Sequence, residues 1–185
     1  MNPKSTPNSI LQGSTSADMF ELNRMVLDDD QPRNSESQAI SLCNKWLRKN
    51  KPEIKYLLSF SDGKEGNVGY IYQATNWVYL GYRVSDSFYL LDDTYFHSVQ
   101  VWHLYKEKHK DRDIKTTHQI LYDNFNDVKK VKAKQFIYVF PLKIKKLFVQ
   151  KDDYPKMDKE LKILETTIYK DNGVILNKPI KIKHV

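Results

Sequence analysis

Residues 54–81 read IKYLLSFSDGKEGNVGYIYQATNWVYLG, and this stretch decides the fold class. Its first part, Ile54–Ser61, is an apolar run that ends at Asp62-Gly63, which is typical of a buried strand followed by a turn. Glycines then lead into Tyr70–Gly81, for which the pattern predicts a helix with Gly81 as its C-terminal stop. A buried strand that leads into a helix is the repeating unit of α/β proteins with parallel strands.

The residues before this stretch indicate the same unit once more. Met19–Leu27 alternates apolar and polar residues as a strand does, and the acidic run ending at Pro32 stops it. Asn34 or Ser35 is predicted to cap a helix. Helical spacing gives that helix one apolar face, made of Ala39, Ile40, Cys43, Trp46 and Leu47. Cys43 is therefore interpreted as a small core residue.

The second half of the chain adds strands and one helix. Phe88–Leu91 and Val99–Leu104 are expected to be antiparallel strands around Asp92-Asp93, with Tyr105–Lys110 as an alternative helical extension. Thr116–Phe125 is predicted to be a helix, and Gln135–Pro141 is predicted to be a strand. Leu161–Ile168 and Gly173–Leu176 are predicted to form a hairpin. The sequence thus predicts an α/β fold with a mixed sheet and two flanking helices.

Three regions are expected along the chain. Residues 1–18 are rich in Ser, Thr, Asn and Pro, which favours a flexible arm. Residues 19–148 hold the predicted domain, and residues 149–185 form a basic C-terminal extension that contains the hairpin. A chain of 185 residues with 40% hydrophobic residues can form a core.

Composition excludes several classes of protein. No apolar run reaches the length of about 18 residues that a membrane-spanning helix needs. The first 18 residues hold one lysine and no apolar block, which argues against a secretory signal. A single cysteine excludes a disulfide framework and a cysteine-based zinc site. A reducing compartment is therefore expected.

The charge is distributed unevenly. Residues 1–104 hold 10 basic and 12 acidic side chains, whereas residues 105–185 hold 20 and 11. Such a basic half favours a polyanionic partner, most simply nucleic acid, although lysine-rich surfaces also serve solubility alone.

Two places could carry chemistry. The helix N-terminus at Arg33-Asn34-Ser35 could hold an anion such as a pyrophosphate, and an ordinary capped helix is the alternative. Asp62 ends a predicted parallel strand, where ligands bind in α/β sheets. Asp62 could act as a general base, and the alternative is that it only caps a turn or helix. Tyr72 could act as a general acid, and the alternative is that it only packs in the core. The five histidines show no metal-ligand spacing.

The sequence resembles the phage Mom family. The strings that carry the resemblance are Phe20–Arg24, Pro32–Ser37, Leu58–Asp62, Gly66–Trp77 and Tyr79–Gly81, and Phe96–Ser98 and Phe136–Leu142 fit the closing strands of that family. The family is similar to the GNAT superfamily of N-acetyltransferases. It modifies adenine in phage DNA by replacing an N6 hydrogen with a carbamoylmethyl group. The resemblance thus implies DNA as the substrate and the cytoplasm of a bacterial or phage-infected host as the compartment.

The resemblance also implies roles for individual residues. Catalytic roles fall to Arg24, Asp62 and Tyr72. Three residues correspond to the positions that hold the pyrophosphate of coenzyme A, namely Arg33, Asn34 and Ser35. Asn76 corresponds to a position on the helix beside the cleft. An acyl-coenzyme A and iron are the cofactors that the resemblance suggests, and it leaves the choice open. Asn67 stands where the family usually has histidine, so a titratable group or metal ligand is missing there.

A larger departure lies at the front of the fold. GNAT proteins place three strands and two helices before the cofactor strand, whereas only an 18-residue arm, too poor in apolar residues for three strands, precedes Met19. The fold is therefore expected to lack its N-terminal half and to leave Met19–Leu27 as an open sheet edge. Three remedies are conceivable: a second protein chain, the hairpin near Ile168–Leu176, or docking on a larger assembly.

Two functions from different classes follow. The first is a Mom-like, acyltransferase-type enzyme that modifies adenine N6 in DNA and needs a partner to complete its fold. The second is a non-catalytic nucleic-acid-binding or structural subunit on a degenerate Mom-like fold, which predicts salt-sensitive binding and no modified base. A small-molecule N-acetyltransferase is a weaker third reading, because the glycine-rich pyrophosphate loop is absent.

Overall fold

The computed structural model describes residues 7–23, 25–106, 117–143, 152–157 and 162–184. The chain divides into two compact units. Unit 1 comprises Met1–Arg83 and Gln135–Glu160, and unit 2 comprises Val84–Lys134 and Leu161–Val185. None of the helices in the described ranges is both long enough and apolar enough to cross a membrane.

The structure is a mixed α/β fold. Its helices are α1 Pro7–Ile10, α2 Ser35–Asn50, α3 Tyr70–Ala74, α4 Ser98–Lys106 and α5 Thr117–Asn124. Its strands are β1 Met19–Glu21, β2 Tyr56–Asp62, β3 Val78–Leu91, β4 Thr94–His97, β5 Val128–Pro141, β6 Ile163–Asp171 and β7 Val174–Lys183. Parallel and antiparallel pairs both occur, which confirms the predicted mixed sheet.

Unit 1 is built on β2, which pairs with a neighbour on each side. β1 runs parallel to it, with Met19 opposite Tyr56, and the last part of β5 runs antiparallel, with Asp62 opposite Gln135. The strand order in this unit is β1-β2-β5-β3. The predicted parallel pair is thus confirmed, although β1 ends at Glu21 and is much shorter than the predicted strand at Met19–Leu27.

Both faces of β2 are covered by apolar side chains, because successive side chains of a strand point to opposite sides. Leu57 belongs to a cluster that includes α2 and α3, while Tyr56 and Leu58 belong to a second cluster that includes Met19. Residues 7–18 also reach this second face, where the Ser14 hydroxyl lies 2.9 Å from that of Tyr56. Burial on both faces explains the nearly continuous apolar run from which β2 was predicted.

Helix α2 buries a different stripe from the predicted one. Ile40 and Asn44 are buried, whereas Trp46 is 57% exposed and Cys43 is exposed as well. The interpretation of Cys43 and Trp46 as core residues was therefore wrong. A helix turns about 100° per residue, so a stripe centred on Ile40 and Asn44 leaves Cys43 about 80° from its centre and Trp46 about 140° from it, on the outer side of the helix.

The N-terminus of α2 also differs from the prediction. Asn34 precedes the helix in a left-handed conformation, with φ of 71°, and its side chain makes no capping hydrogen bond. The Ser35 hydroxyl donates to the Pro32 carbonyl at 2.6 Å instead of to the first helical turn. Side-chain capping by Asn34 or Ser35 was therefore a wrong prediction.

The helix predicted at Tyr70–Gly81 is short, because β3 takes over its second half. α3 ends at Ala74, and Asn76 turns the chain with φ of 60°. β-Branched and aromatic side chains from Val78 onward fit a sheet better than a helix. Tyr79 is buried there, against Phe136 and Tyr138 of β5.

In unit 2, β3 and β4 form a hairpin around Asp92-Asp93, both of which have positive φ, but the strand after this predicted turn is Thr94–His97 and not Val99–Leu104. The segment predicted as the strand Val99–Leu104 is instead part of α4, so that prediction was wrong. Val101 of α4 packs with Ile120 and Leu121 of α5 in the core of this unit. The predicted helix at Thr116–Phe125 is confirmed as α5.

The basic C-terminal hairpin is also confirmed. β6 pairs with β5 and β7, and the turn between β6 and β7 has φ of 47° at Asn172 and 80° at Gly173. Two successive positive φ values suit an Asn-Gly turn. The cations of β7 are exposed.

His118 makes the stability of unit 2 depend on pH. Burial, with a smaller effect of Lys130, lowers the pKa of His118 below 6.5, and its Nε2 has no hydrogen-bond partner among the described residues. As the pH falls through this range the unfolded chain binds a proton before the folded one, so the free energy of unfolding decreases. We expect His118→Phe to reduce this loss, measured by urea unfolding between about pH 7.5 and about pH 5.5. His103→Gln, on the exposed side of α4, serves as the control. Equal pH dependence in the wild type and His118→Phe would contradict the assignment.

Candidate active site

Asp62 ends β2 and is held by a side chain of the neighbouring strand. The Gln135 amide nitrogen donates to its carboxylate at 2.6 Å, and the Arg83 Nε donates to the Gln135 amide oxygen, also at 2.6 Å. These two bonds fix which end of the Gln135 amide faces each partner. The carboxylate is therefore oriented while still half-exposed.

Arg83 extends this arrangement along the same face of the sheet. Its guanidinium carbon lies 4.3 Å from the centre of the Phe60 ring, which is two residues from Asp62 on the strand. Its charge also reaches Glu21, where it lowers the pKa that burial raises. The face of unit 1 that carries Asp62 thus holds a cation and two carboxyl groups beside an aromatic ring.

Tyr72 takes part in a short chain of hydroxyl groups. The Ser59 hydroxyl donates to the Leu22 carbonyl at 2.7 Å, and its oxygen lies 2.7 Å from the phenol oxygen of Tyr72. A serine hydroxyl carries only one proton. Because Ser59 donates that proton to the Leu22 carbonyl, its oxygen accepts the hydrogen bond from the Tyr72 hydroxyl.

The Tyr72 ring is fixed by aromatic neighbours. Its centre lies 5.1 Å from that of Trp77 and 5.2 Å from that of Tyr138. Burial raises the pKa of the Tyr72 phenol, the hydrogen bond between Tyr72 and Ser59 lowers it, and the negative charge of Asp62 raises it. The phenol thus keeps its proton at neutral pH and can donate it.

Asp62 and Tyr72 approach the end of β2 from opposite faces. Alternation puts Ser59, the partner of Tyr72, on one face and Asp62 on the other. β1 pairs with β2 only as far as Glu21 opposite Leu58, while β2 continues to Asp62. The part of β2 from Ser59 to Asp62 therefore extends beyond its pairing with β1, with the Tyr72 phenol on one face and the Asp62 carboxylate on the other.

Of the predicted cofactor residues, Asn76 lines a groove between α2 and α3. The groove has a volume of about 250 Å³, and Ser37, Lys45 and Thr75 contribute to its lining. Lys45 with the hydroxyl groups forms a donor set that fits an anion such as a pyrophosphate. Arg33, Asn34 and Ser35 lie just before or at the start of α2 and do not line this groove.

Other predicted features are not part of this arrangement. Arg24 lies outside the described residues, so its role stays a prediction. Asn67 is exposed. In the described part of the chain, no three His, Cys, Asp or Glu side chains lie together as metal ligands. The Asp62 carboxylate accepts from the Gln135 amide nitrogen, and an amide N–H donor does not ligate an iron ion.

Sequence reasoning missed Arg83, Gln135 and Ser59. Arg83 and Gln135 lie 21 and 73 residues from Asp62, and only the register of the strands brings them together. Ser59 gave a weak signal as a polar residue inside an apolar strand. Such a residue needs a hydrogen-bond partner when buried.

Two comparisons with known proteins concern this region. The sequence profile of the Mom protein family matches residues 1–156. The chain is also 41% identical over 99 residues to methylcarbamoylase mom of Escherichia phage Mu. The aligned residues are 54% of this chain and 40% of the phage protein, so the match spans about two fifths of the length of that relative.

Proposed function

The chain belongs to the Mom protein family, and on that premise we propose that it modifies DNA by replacing a hydrogen on adenine N6 with a carbamoylmethyl group. The observation that carries the proposal is the oriented carboxylate of Asp62, held by Gln135 on one face of β2, together with the protonated phenol of Tyr72, held by Ser59 on the other face. A substrate amine would reach both groups around the edge of β2 that β1 leaves open. An oriented base and an acid that keeps its proton are what a transfer to an amine requires.

The two groups divide the proton transfers between them. As adenine N6 forms its new bond to carbon, Asp62 accepts a proton from the amine. As the bond between that carbon and the donor breaks, Tyr72 gives its proton to the leaving group. Ser59 holds the phenol in position. The Gln135–Arg83 pair keeps the carboxylate aimed and supplies positive charge behind it.

We further propose that the groove between α2 and α3 binds the pyrophosphate of the donor through Ser37, Lys45 and Asn76. An acyl-coenzyme A carries its activation on an acyl carbon, whereas the carbamoylmethyl group joins N6 through its CH2 carbon, so the donor for this transfer would carry its leaving group on that CH2 carbon. A second protein chain at the open edge of β1, which pairs only with β2 among the described residues, would complete the fold.

DNA contact is proposed for unit 2. The exposed strand β7 carries Lys178, Lys181 and Lys183, and neutralising phosphates with such cations makes binding fall with salt. The same observation favours the second candidate function, a DNA-binding subunit without catalysis. The two functions differ in the product, because only the enzyme leaves a modified nucleoside in DNA.

The test is expression of the chain in a bacterium, followed by mass spectrometry of nucleosides from its DNA. We expect Tyr72→Phe to reduce carbamoylmethylated deoxyadenosine by about 100-fold, since general acid catalysis contributes roughly that much. Tyr70→Phe is the matched control, because Tyr70 lies on the same helix and is 54% exposed. Full modification by the Tyr72→Phe variant would remove the phenol from the reaction. DNA binding without any modified base in the wild type, also after native co-purification with its partners, would favour the second candidate.

A further inference from the structure

One face of the sheet in unit 2 collects lysine side chains from two strands that flank β6. Residues opposite each other on neighbouring strands, and residues two apart on one strand, point to the same face. Two rows across β5, β6 and β7 are aligned in this way, with Lys132, Glu165 and Lys183 in the first row and Lys130, Thr167 and Lys181 in the second. The four lysines of this lysine face therefore mark the corners of a rectangle of about 7 Å by about 10 Å.

The opposite face of the same strands carries isoleucines where the lysine face carries lysines. Ile180 lies opposite Ile168 and Ile182 lies opposite Thr166, each one residue out of step with a lysine row. Ile180 is 52% exposed and Ile182 is 43% exposed. Lysines that served solubility alone would suit this face at least as well, so their concentration on the other face indicates a partner of negative charge.

The two lysines that β5 contributes have acidic partners. The amine of Lys132 lies 2.9 Å from the Glu165 carboxylate, and the amine of Lys130 lies 3.3 Å from that of Asp86. Both lysine side chains remain partly exposed. Ion pairs at a surface contribute little to stability, so a phosphate can compete for these lysines.

The two lysines of β7 give the lysine face its excess of positive charge. Lys181 and Lys183 are exposed, and neither side chain forms an ion pair with another described residue. The hydrogen bond from Lys132 lowers the pKa of Glu165 most, and the charges of Lys181 and Lys183 lower it further. Three lysines therefore lie around a single carboxylate, which cannot neutralise them all.

We propose that the lysine face binds the phosphate backbone of double-stranded DNA without reading its sequence. The inference deepens the proposed function, on which it rests, because it names the form in which the DNA is bound and the surface that binds it. Duplex DNA carries one phosphate for about every 1.7 Å of its axis, so a face of this size meets several phosphates at once. Lysine contacts to phosphates position a duplex without distinguishing its base pairs.

The residues between the lysines favour a duplex over a single strand. Proteins that bind single strands without sequence preference stack the bases on aromatic side chains within a basic groove. The positions between the lysines are occupied by Glu165 and Thr167, which offer no surface for stacking. The lysine face therefore suits a polyanion whose bases are already stacked inside a helix.

The test is a titration of a short labelled duplex with the full chain, followed by fluorescence anisotropy at several salt concentrations. We expect the double variant Lys181→Gln/Lys183→Gln to bind at least about fivefold more weakly at low salt. The slope of log K against log salt should fall by about two, because each phosphate contact contributes about 0.9. Lys129→Gln is the matched control, since Lys129 lies on β5 opposite Ile168 and therefore on the other face. Unchanged affinity and slope in the double variant, or an equal loss per lysine in the control, would overturn the proposal.

Glu165 provides a test in the opposite direction. Glu165→Gln removes a negative charge from the lysine face and releases Lys132, so we expect the duplex to bind at least about twofold more tightly. Lysines that only hold their own carboxylate would give no such gain. Unchanged or weaker binding by this variant, with folding checked by circular dichroism, would contradict the proposal.

Competition identifies the form of nucleic acid that is bound. At equal phosphate concentration, unlabelled duplex should displace the labelled duplex more effectively than single-stranded oligo(dT) does. The double variant should lose affinity for two unrelated duplex sequences to the same extent, because the lysines contact phosphates alone. Stronger competition by the single strand, or unequal losses for the two sequences, would contradict a backbone site for duplex DNA.

The proposal and the function on which it rests fail in different ways. Adenine modification by the wild type, with unchanged duplex binding in the double variant, would remove the lysine face and leave the proposed function. Duplex binding through the lysine face without any modified nucleoside would support the surface and remove the proposed reaction.

Discussion

Replacing Asp62 by asparagine is expected to reduce adenine modification by at least about 100-fold while the protein stays folded. An asparagine oxygen at this position can still accept from the Gln135 amide, which lies 2.6 Å from the carboxylate. The exchange therefore keeps the geometry at the end of β2 and removes the capacity to take up a proton. If Asp62 only positions Gln135, the asparagine variant should remain active.

A second substitution separates the base from its support. Gln135→Leu leaves Asp62 in place but removes both hydrogen bonds that join it to Arg83. We expect an intermediate loss, because the carboxylate remains available but is no longer held in one orientation. The matched control is Glu65→Gln, which changes an exposed carboxyl group three residues after Asp62 that is paired with Lys64.

The measurements are nucleoside mass spectrometry for activity and circular dichroism for folding. Full activity of Asp62→Asn would exclude Asp62 as the base, and full activity of Gln135→Leu would show that its orientation does not matter. Equal losses in Asp62→Asn and Glu65→Gln would point to a general effect of charge rather than to a catalytic group.

The elements that the sequence predicted well are those with a continuous or repeated pattern. The apolar run that became β2 and the Asn-Gly turn between β6 and β7 both carry local signals that tertiary contacts reinforce. The helix predicted at Tyr70–Gly81 failed in its second half. There the strand preference of Val78 and Tyr79, and their packing against β5, were stronger than a helical pattern.

The candidate site was predictable only in part, because it depends on the register of strands far apart in sequence. Asp62 was recognisable at a strand end. Its orientation by Gln135 follows from the antiparallel pairing of β2 with β5, which no local pattern encodes. The position of Tyr72 on the other face follows from Ser59, since a strand reverses its side chains at every residue.

The second large effect is expected from Gly69→Ala, which should lower the free energy of unfolding by about 3 kcal/mol or more. Gly69 has φ of 81°, and a Cβ atom there would lie 2.5 Å from Cε2 of Tyr138. Tyr138 is fully buried and cannot move away freely, since Gln73 donates to its hydroxyl at 3.1 Å. The added methyl group therefore forces a shift of the backbone or of a packed ring.

Gly66→Ala is the matched control, because it isolates the conformational part of this effect. Gly66 has φ of 78°, yet no atom lies within 4 Å of the position of its Cβ. Its cost should be about 1 kcal/mol, from the left-handed backbone alone. Urea unfolding of the two variants measures the difference, and equal losses would show that Tyr138 yields to the methyl group. Since Gly69 begins the helix that carries Tyr72, a displaced Tyr138 ring would also move the phenol away from Ser59, and adenine modification should fall with stability.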